Sequence, residues 1–333
     1  MTGRAILIIG GTGALGGAVA KALLKDESQK WLLVVLTRHP ESSQAKALVH
    51  LGQGRVTMSQ GDLDDEESLR KAMQGVYGVF CNTNFWSTAS IEGERRQGLI
   101  MLRIAQELNI KHFVFSSLDS VSSISGGKLF LPHYDAKASI EHEIDWRRSD
   151  EYMRQVKGGW YRNCVSVLVT CPYFENFQSV FVPEREKLSD GKEKLVFKYP
   201  LSGDGAWQMV ALADIGAFAS IMFADCETWG GQTLRIASEE LPMKKVAEQF
   251  TEITGIPSEY DPPSVEEFLN SGMPNSHDVL NNFIAYREGY VAPRDYSMLR
   301  KLHPGLRTFK AWLRETEWRG EAREVQKDSI TGK

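Results

Sequence analysis

Five glycines interrupt an apolar run near the start of the chain. The segment ILIIGGTGALGGAVAKALL (residues 6–24) begins as a β-branched run and continues, after the glycines, with apolar residues at helical spacing. Its spacing fits G-x-G-x-x-G through Gly11, Gly13 and Gly16, and also G-x-x-G-x-x-G through Gly10, Gly13 and Gly16. Such glycines allow a tight turn, a close approach of pyrophosphate and helix–strand packing. A structural glycine turn is the alternative. The pattern predicts a dinucleotide site at the helix N-terminus, formed by Gly10, Gly11, Thr12, Gly13, Ala14, Leu15 and Gly16.

The residue that follows the second apolar run indicates which dinucleotide would bind. The run WLLVVLT (31–37) ends in Arg38, and no acidic residue appears before Glu41. An acid at this place binds the ribose 2′-hydroxyl of NAD, whereas an arginine accommodates the 2′-phosphate of NADP. A guanidinium also matches phosphate geometry bidentately. The sequence therefore predicts NADP(H) as the cofactor, with a plain surface arginine as the alternative.

Polar residues follow the next two strand-like runs. Asp62 and Leu63 come after the third run, where a carboxylate can accept from the adenine amine; a helix cap by Asp62 or Asp64 is the alternative. Asn82, Thr83 and Asn84 come after the fourth run, where they would pass close to the nicotinamide ribose or form a turn. We expect both loops to contact the cofactor.

The elements that must position these residues alternate along the chain. Apolar strand-like runs alternate with helical patterns. The strand-like runs are at 5–10, 31–37, 55–60, 77–83, 111–118 and 165–170. Strands of this kind are covered on both faces and form parallel sheets through right-handed crossovers. The sequence predicts an α/β fold, a doubly wound parallel Rossmann sheet in the order 3-2-1-4-5-6.

The alternation loosens after about residue 172. We expect a Rossmann domain at 1–182, a smaller C-terminal α/β lobe at 183–320 from which a part can return to the sheet, and a polar tail at 321–333.

Composition narrows the function classes. The 333 residues are 42% hydrophobic and 25% charged with a formal net charge of −4, so the basic footprint of a nucleic-acid binder is missing. The apolar stretches fall short of the roughly 20 residues that span a bilayer. The four cysteines form no C-x-x-C pair, which favours reduced core thiols over disulfides or metal ligands. We expect a cytoplasmic protein, with a nuclear location left open. We also expect that it binds no metal, no membrane and no nucleic acid directly.

Together these motifs resemble the NmrA-like family, atypical members of the short-chain dehydrogenase/reductase superfamily, and are similar to its NADPH-sensor branch. The resemblance covers most of the chain and rests on GGTGALGG, TRHP, QGDLDD, VFCNTNFW, FVFSSLDSVSSISGGKLFLPHYDAKASIEHEI and CPYFENF. It implies NADP(H) contacts from the glycine loop, the loop after the fourth strand, Arg38, Lys137, Tyr173, Phe174 and Asn176. An exposed helix lysine at 137 and core packing by Tyr173 and Phe174 are the alternatives.

The catalytic pattern of the superfamily is displaced here. Ordinary members carry Y-x-x-x-K, but His133 stands four residues before Lys137 and Tyr134 stands three before it. Histidine titrates near neutrality, so Lys137, His133 and Tyr134 are the candidates for proton transfer. Lys137 and Glu141 have the spacing of a lysine-centred site in isoflavone-reductase-like relatives, and equally of a surface ion pair.

Two functions follow from these residues. The first is an NADPH-dependent reductase of a small carbonyl, enone or imine, because the aromatic segments NFW and YFENF favour an apolar pocket. The second is a non-catalytic NADP(H)-sensing regulator, which the displaced tyrosine favours. The partner is accordingly a small-molecule substrate or a regulatory protein, and a homodimer is left open.

Overall fold

The computed structural model describes residues 3–189, 191–201 and 205–325, and these residues form two compact units. The first unit takes the described residues of Met1–Leu118, His133–Thr170 and Ile215–Arg235. The second takes those of Asp119–Pro132, Cys171–Asp214 and Ile236–Lys333. The units interleave along the chain. The division into folding domains at 1–182 and 183–320 stays a prediction, and residues 326–333 of the expected tail lie outside the described residues.

The strands and helices alternate over most of the described chain. The strands are β1 (Ala5–Ile9), β2 (Leu32–Thr37), β3 (Val56–Gln60), β4 (Gly78–Cys81), β5 (His112–Ser117), β6 (Val165–Val169), β7 (Glu184–Lys187), β8 (Glu193–Phe197), β9 (Ala206–Met209), β10 (Thr233–Arg235), β11 (Glu239–Pro242) and β12 (Ser258–Tyr260). The helices are α1 (Ala14–Lys25), α2 (Ser43–Gly52), α3 (Glu66–Met73), α4 (Phe85–Thr88), α5 (Ile91–Glu107), α6 (Val121–Ile124), α7 (Pro132–Met153), α8 (Trp160–Cys164), α9 (Asn176–Ser179), α10 (Leu212–Ala224), α11 (Cys226–Trp229), α12 (Met243–Thr254), α13 (Val265–Leu269), α14 (Ser276–Arg287), α15 (Tyr296–Leu302) and α16 (Phe309–Thr316).

The first unit is built on a parallel sheet. Within the described residues this sheet has seven strands in the order β10-β6-β5-β4-β1-β2-β3. The predicted fold class and the predicted order of the first six strands are confirmed. The seventh strand, β10, pairs in parallel with β6 and aligns Leu234 with Leu168. It extends the sheet by three residues from the part of the chain assigned to the downstream lobe.

Helices cover the sheet because its strands are apolar on both sides. Successive side chains of a strand point to opposite faces, and β4, β5 and β6 are buried along their whole length. On one face, side chains of β1, β4, β5 and β6 pack against α3, α5 and α7. This core contains Leu7, Ile9, Leu69, Met73, Val79, Met101, Leu102, Phe113, Phe115, Ile140, Ile144, Val165 and Val167.

Short polar side chains fix where the helices after the strands begin. Asp65 accepts hydrogen bonds from two backbone N–H groups in the first turn of α3. Asp62 instead accepts from the backbone N–H of Asp64, and the helix cap is Asp65 rather than Asp62 or Asp64. Asn84 caps α4 and Ser90 caps α5 in the same way. Such caps satisfy backbone donors that the helix leaves open, and they hold the loops after β3 and β4 in place.

The described residues of the second unit form two small sheets around an aromatic core. Strands β9 and β11 pair antiparallel, while β8 pairs with β7 antiparallel and with β12 in parallel. The rings of Trp207 and Phe283 stack with centroids 4.7 Å apart. Asp119 and Arg294, both almost fully buried, form an ion pair at 3.0 Å in this unit. The backbone N–H of Arg323 donates to the carbonyl of Gln178.

Among the residues that the structure describes, no helix is both long and apolar enough to cross a bilayer. The four cysteines are free thiols.

A neutral histidine lies inside the first unit. His112 Nε2 is 2.7 Å from Ser166 Oγ, and that hydroxyl donates to the carbonyl of Trp229. Since the hydroxyl proton is used there, His112 must donate from Nε2, and its Nδ1 finds no partner among the described residues. Burial lowers the pKa of His112 to about 4.

We expect the free energy of unfolding to fall as the pH drops from about 6.5 toward 4. In that window the unfolded His112 takes up a proton that the folded protein refuses, at about 1.4 kcal/mol per pH unit. Urea unfolding at pH 7.5, 6 and 5 should show a flatter profile for His112→Gln. His142→Gln, at an exposed position of α7, should keep the wild-type profile. Identical pH dependence in wild type and His112→Gln would contradict the assignment.

The start of α1 lies directly against the turn before it. A Cβ at Gly16 would sit 2.3 Å from the carbonyl oxygen of Gly10, whereas a Cβ at Gly13 would meet its nearest atom at 3.4 Å. We expect Gly16→Ala to destabilise the protein by about 1–3 kcal/mol, as overpacking does, and Gly13→Ala by less than about 1 kcal/mol. Urea unfolding of the two variants measures the difference. Equal losses of unfolding free energy in the two variants would mean that α1 does not pack closely against the turn.

Candidate functional site

The glycine-rich segment forms a tight turn between β1 and α1. Gly10 has a φ of +72°, in the left-handed region that favours glycine. Its carbonyl accepts from the backbone N–H of Gly13 at 3.0 Å, which closes the turn. Gly13 is the N-cap of α1 and, having no side chain, offers no cap hydrogen bond; the first turn of α1 also contains no acid. The first N–H groups of α1 therefore keep their positive end available to an anion.

The neighbours of the turn explain why position 11 is a glycine. A Cβ at Gly11 would lie 2.7 Å from Cγ1 of Val35 on β2, so β2 leaves no room for a side chain there. Thr12 and Ala14 are half-buried, while Leu15 is buried. Any contact of Leu15 with a phosphate is therefore limited to its backbone.

The turn also meets the loop that follows β4. A Cβ on Gly10 would lie 3.3 Å from the backbone carbonyl oxygen of Asn82 and 3.6 Å from its side-chain nitrogen Nδ2. The structure thus brings two of the sequence-predicted segments, the glycine turn and residues 82–84, to the same edge of the sheet.

Arg38 and Asp62 stand side by side at that edge. They follow β2 and β3, which are neighbouring strands with Thr37 aligned to Gln60. Arg38 Nε is 3.8 Å from Asp62 Oδ2, and the two side chains are 60% and 41% exposed. An exposed pair at this distance contributes little stability, so the guanidinium is available to a phosphate. Leu63 is half-buried and packs on the core of the first unit.

Lys137 is held by three acceptors inside the first unit. Its Nζ donates to the carbonyl of Thr83 at 2.6 Å, to Thr83 Oγ1 at 3.1 Å and to Glu94 Oε1 at 2.9 Å. An ammonium has three donors, and all three are used. The side chain is only 12% exposed, so Lys137 is not a solvated surface lysine. Glu141 does not pair with it: Glu141 accepts from Arg235 at 2.8 Å.

Glu94 is the residue that sequence reasoning missed. It lies in the first turn of α5, where an acid fits the helix dipole and attracts no further attention. A second signal was present, because Glu94 lies on the buried face that includes Gly98, Met101 and Ala105 at helical spacing. An acid on an apolar helical face needs a partner. That partner is Lys137, 43 positions along the chain.

Aromatic rings stand beside the other proton-transfer candidates. His133 lies 5.5 Å from Trp86 and 6.4 Å from Phe85, measured between ring centroids. His133 and Lys137 are four residues apart on α7 and therefore share one face of the helix. Tyr134 is buried at 2% exposure, with its ring edge-to-face against His133. The structure thus places His133 and Lys137 near each other and Tyr134 in the interior; their roles in proton transfer stay predictions.

Cys81 is the last residue of β4 and lies next to the ion pair of Lys137 and Glu94. It is fully buried, and burial raises the pKa of its thiol to about 12. A thiol of this kind carries almost no thiolate near neutral pH, so Cys81 is not a nucleophile.

Tyr173, Phe174 and Asn176 belong to the second unit. Tyr173 forms a parallel bridge with Val210, and Asn176 begins α9. Phe174 is fully buried, with its ring centroid 5.4 Å from that of Phe309. The ring of Phe174 is thus part of this unit's core. The expected cofactor contacts of these three residues stay predictions.

The carboxylate of Glu175, within the same segment, ties this unit together. It accepts from the backbone N–H of Leu212 and from Trp312 Nε1, each at 3.0 Å. Burial raises the pKa of Glu175.

Known proteins resemble this chain over most of its length. The model of the NmrA-like family matches residues 2–313. An NmrA-like family domain-containing oxidoreductase of Aspergillus hancockii is 28% identical over 283 residues, which cover 83% of this chain and 81% of that protein.

Two solved structures share the fold. NmrA, a negative transcriptional regulator crystallised with NADP, is 18% identical with a TM-score of 0.72, over 95% of both chains. The triphenylmethane reductase of Citrobacter sp., complexed with NADP(H), is 18% identical with a TM-score of 0.66, over 93% of this chain and 99% of that one. The resemblance predicted from the motifs is confirmed by the family match: the chain belongs to the NmrA-like family.

Proposed function

We propose that this protein binds NADP(H) and reduces a small carbonyl, enone or imine substrate. The observation that carries the cofactor is the glycine turn at an uncapped helix N-terminus, with Arg38 at the end of the next strand. The relative from Aspergillus hancockii is named an oxidoreductase, and two proteins of the same fold were crystallised with NADP or NADP(H). These names support the proposal.

The residues along the sheet edge fit such a cofactor. Gly13 is exposed, and a Cβ there would meet only the Gly10 carbonyl, so bare backbone faces outward where a pyrophosphate would approach. Arg38 would hold the 2′-phosphate, and Asp62 with Leu63 would lie by the adenine. Residues 82–84, with Lys137, would hold the nicotinamide ribose.

Reduction of such a substrate needs a proton as well as a hydride. The cofactor supplies the hydride when bound, and a protein group or water must protonate the oxygen, nitrogen or carbon that becomes negative. Lys137 and His133 share one face of α7, and His133 lies beside Trp86. We assign proton transfer to Lys137 or His133, with Tyr134 as the third candidate.

A second function, NADP(H) sensing without turnover, is favoured by one observation. The three donors of Lys137 are all taken by Thr83 and Glu94. An ammonium whose three donors are all engaged suits a fixed cofactor contact better than proton donation. In that case the partner is a regulatory protein, and the neighbour NmrA is described as a negative transcriptional regulator.

We also infer a cytoplasmic location, with a nuclear one open. Four free thiols, two of them buried, suit a reducing compartment.

Cofactor choice is tested at Arg38. We expect NADPH to bind at least about tenfold more tightly than NADH, about 1.4 kcal/mol, because a guanidinium can pair with the 2′-phosphate. Arg38→Ala should remove most of that preference, while Arg154→Ala, at the exposed position directly after α7, should keep it. Calorimetric titration of each protein with both cofactors gives the ratio. Equal affinities in the wild type would refute the NADP assignment.

Turnover is tested with NADPH and a panel of small carbonyls, enones, quinones and imines. We expect oxidation of NADPH with at least one class. Gly13→Val should fold, because its Cβ meets no close neighbour, but should lose NADPH binding and turnover, because its methyls occupy the pyrophosphate approach. NADPH binding without turnover across the panel would favour the sensor. Normal NADPH affinity in folded Gly13→Val would place the dinucleotide elsewhere.

A further inference from the structure

Of the three acceptors of Lys137, one is charged and two are neutral. Glu94 Oε1 is a carboxylate oxygen, whereas the two acceptors on Thr83 are a carbonyl and a hydroxyl. All three bonds have the charged ammonium as donor, but only the bond to Glu94 joins opposite charges, which adds a direct Coulomb attraction in the interior. When another acceptor reaches the ammonium, the Thr83 bonds are therefore the ones to exchange.

The carboxylate of Glu94 in turn needs Lys137 as its countercharge. Its side chain is fully buried. Its Oε1 accepts from Lys137, and its Oε2 has no hydrogen-bond partner among the described residues. A buried carboxylate without a countercharge is costly, so the carboxylate holds the ammonium at this one place.

The pair lies where three elements of the first unit meet. Glu94 is on α5, Lys137 is on α7, and Thr83 lies in the loop that follows β4 between two of the predicted ribose contacts, Asn82 and Asn84. The backbone of Asn82 in turn borders Gly10. The position of the ammonium is thus set relative to the loop and the glycine turn.

We propose that Glu94 is the positioning residue of the site: it anchors Lys137, which reaches a bound NADPH by giving up a Thr83 bond while keeping the Glu94 bond. This assignment rests on the proposed function. Glu94 itself stays buried and acts only through Lys137.

A neighbouring ion pair provides a matched control. Arg95 and Glu143 also connect α5 to α7, at 3.0 Å. If Glu94 merely joined the two helices, loss of either connection would have the same consequence. The two glutamates differ in that only Glu94 contacts Lys137.

The experiment is a double-mutant cycle on NADPH affinity, with circular dichroism to verify that each variant folds. We expect Glu94→Gln to weaken NADPH binding about tenfold and Lys137→Met by about 10- to 100-fold, as for a hydrogen bond to a charged group. The double variant should bind no more weakly than Lys137→Met, because Glu94 acts through the lysine. Glu143→Gln should bind like the wild type.

Three results would overturn the assignment while leaving NADPH binding intact. They are wild-type affinity in Glu94→Gln, additive losses in the double variant, or an equal loss in Glu143→Gln. If Lys137→Met does not fold, the comparison of Glu94→Gln with Glu143→Gln decides alone. A wild-type protein that fails to bind NADPH would instead refute the proposed function, and this inference with it.

Discussion

The contact between α1 and the turn before it constrains the rest of the proposed site. The α-carbon of Gly16 packs so closely on the Gly10 carbonyl that a single added carbon would lie 2.3 Å from the oxygen. This approach places the N-terminus of α1 over the end of β1, where Gly10 turns the chain with a positive φ. A displacement of α1 by the width of a methyl group would move its free N–H groups away from that point. The same turn borders Asn82, so the loop after β4 depends on it too.

A second constraint is the charge that the first unit buries. Placing an ion pair in the interior costs desolvation that the attraction between the charges only partly offsets. Glu94 and Lys137 nevertheless meet inside the unit, joined by Thr83. The benefit is geometric, since the arrangement ties α5, α7 and the loop after β4 to one another. The position of the Lys137 ammonium is therefore more narrowly defined than that of an exposed lysine.

Two acids of the second unit act differently from Glu94. Glu175 accepts from Leu212 and Trp312, and Asp214 accepts from His303 Nε2 at 2.9 Å and from the backbone of Arg307 at 3.0 Å. These carboxylates satisfy donors that would otherwise be buried without partners, which is the usual condition for polar groups in a core. These two acids hold the fold, whereas Glu94 holds a candidate functional group.

Local pattern in the sequence was sufficient for the first six strands, their order and the glycine turn. Strand periodicity and glycine spacing are properties of neighbours along the chain, and right-handed crossovers leave few ways to arrange them. Membership in the NmrA-like family could also be predicted, because its motifs are contiguous. Strand β10 was harder: three residues carry no period of their own, and its pairing with β6 comes from packing. Likewise, Lys137 has the spacing of an ion pair with Glu141, yet its partner is Glu94, and Phe174 is buried in a core. Such partners are chosen by distance in space, which only the tertiary structure decides.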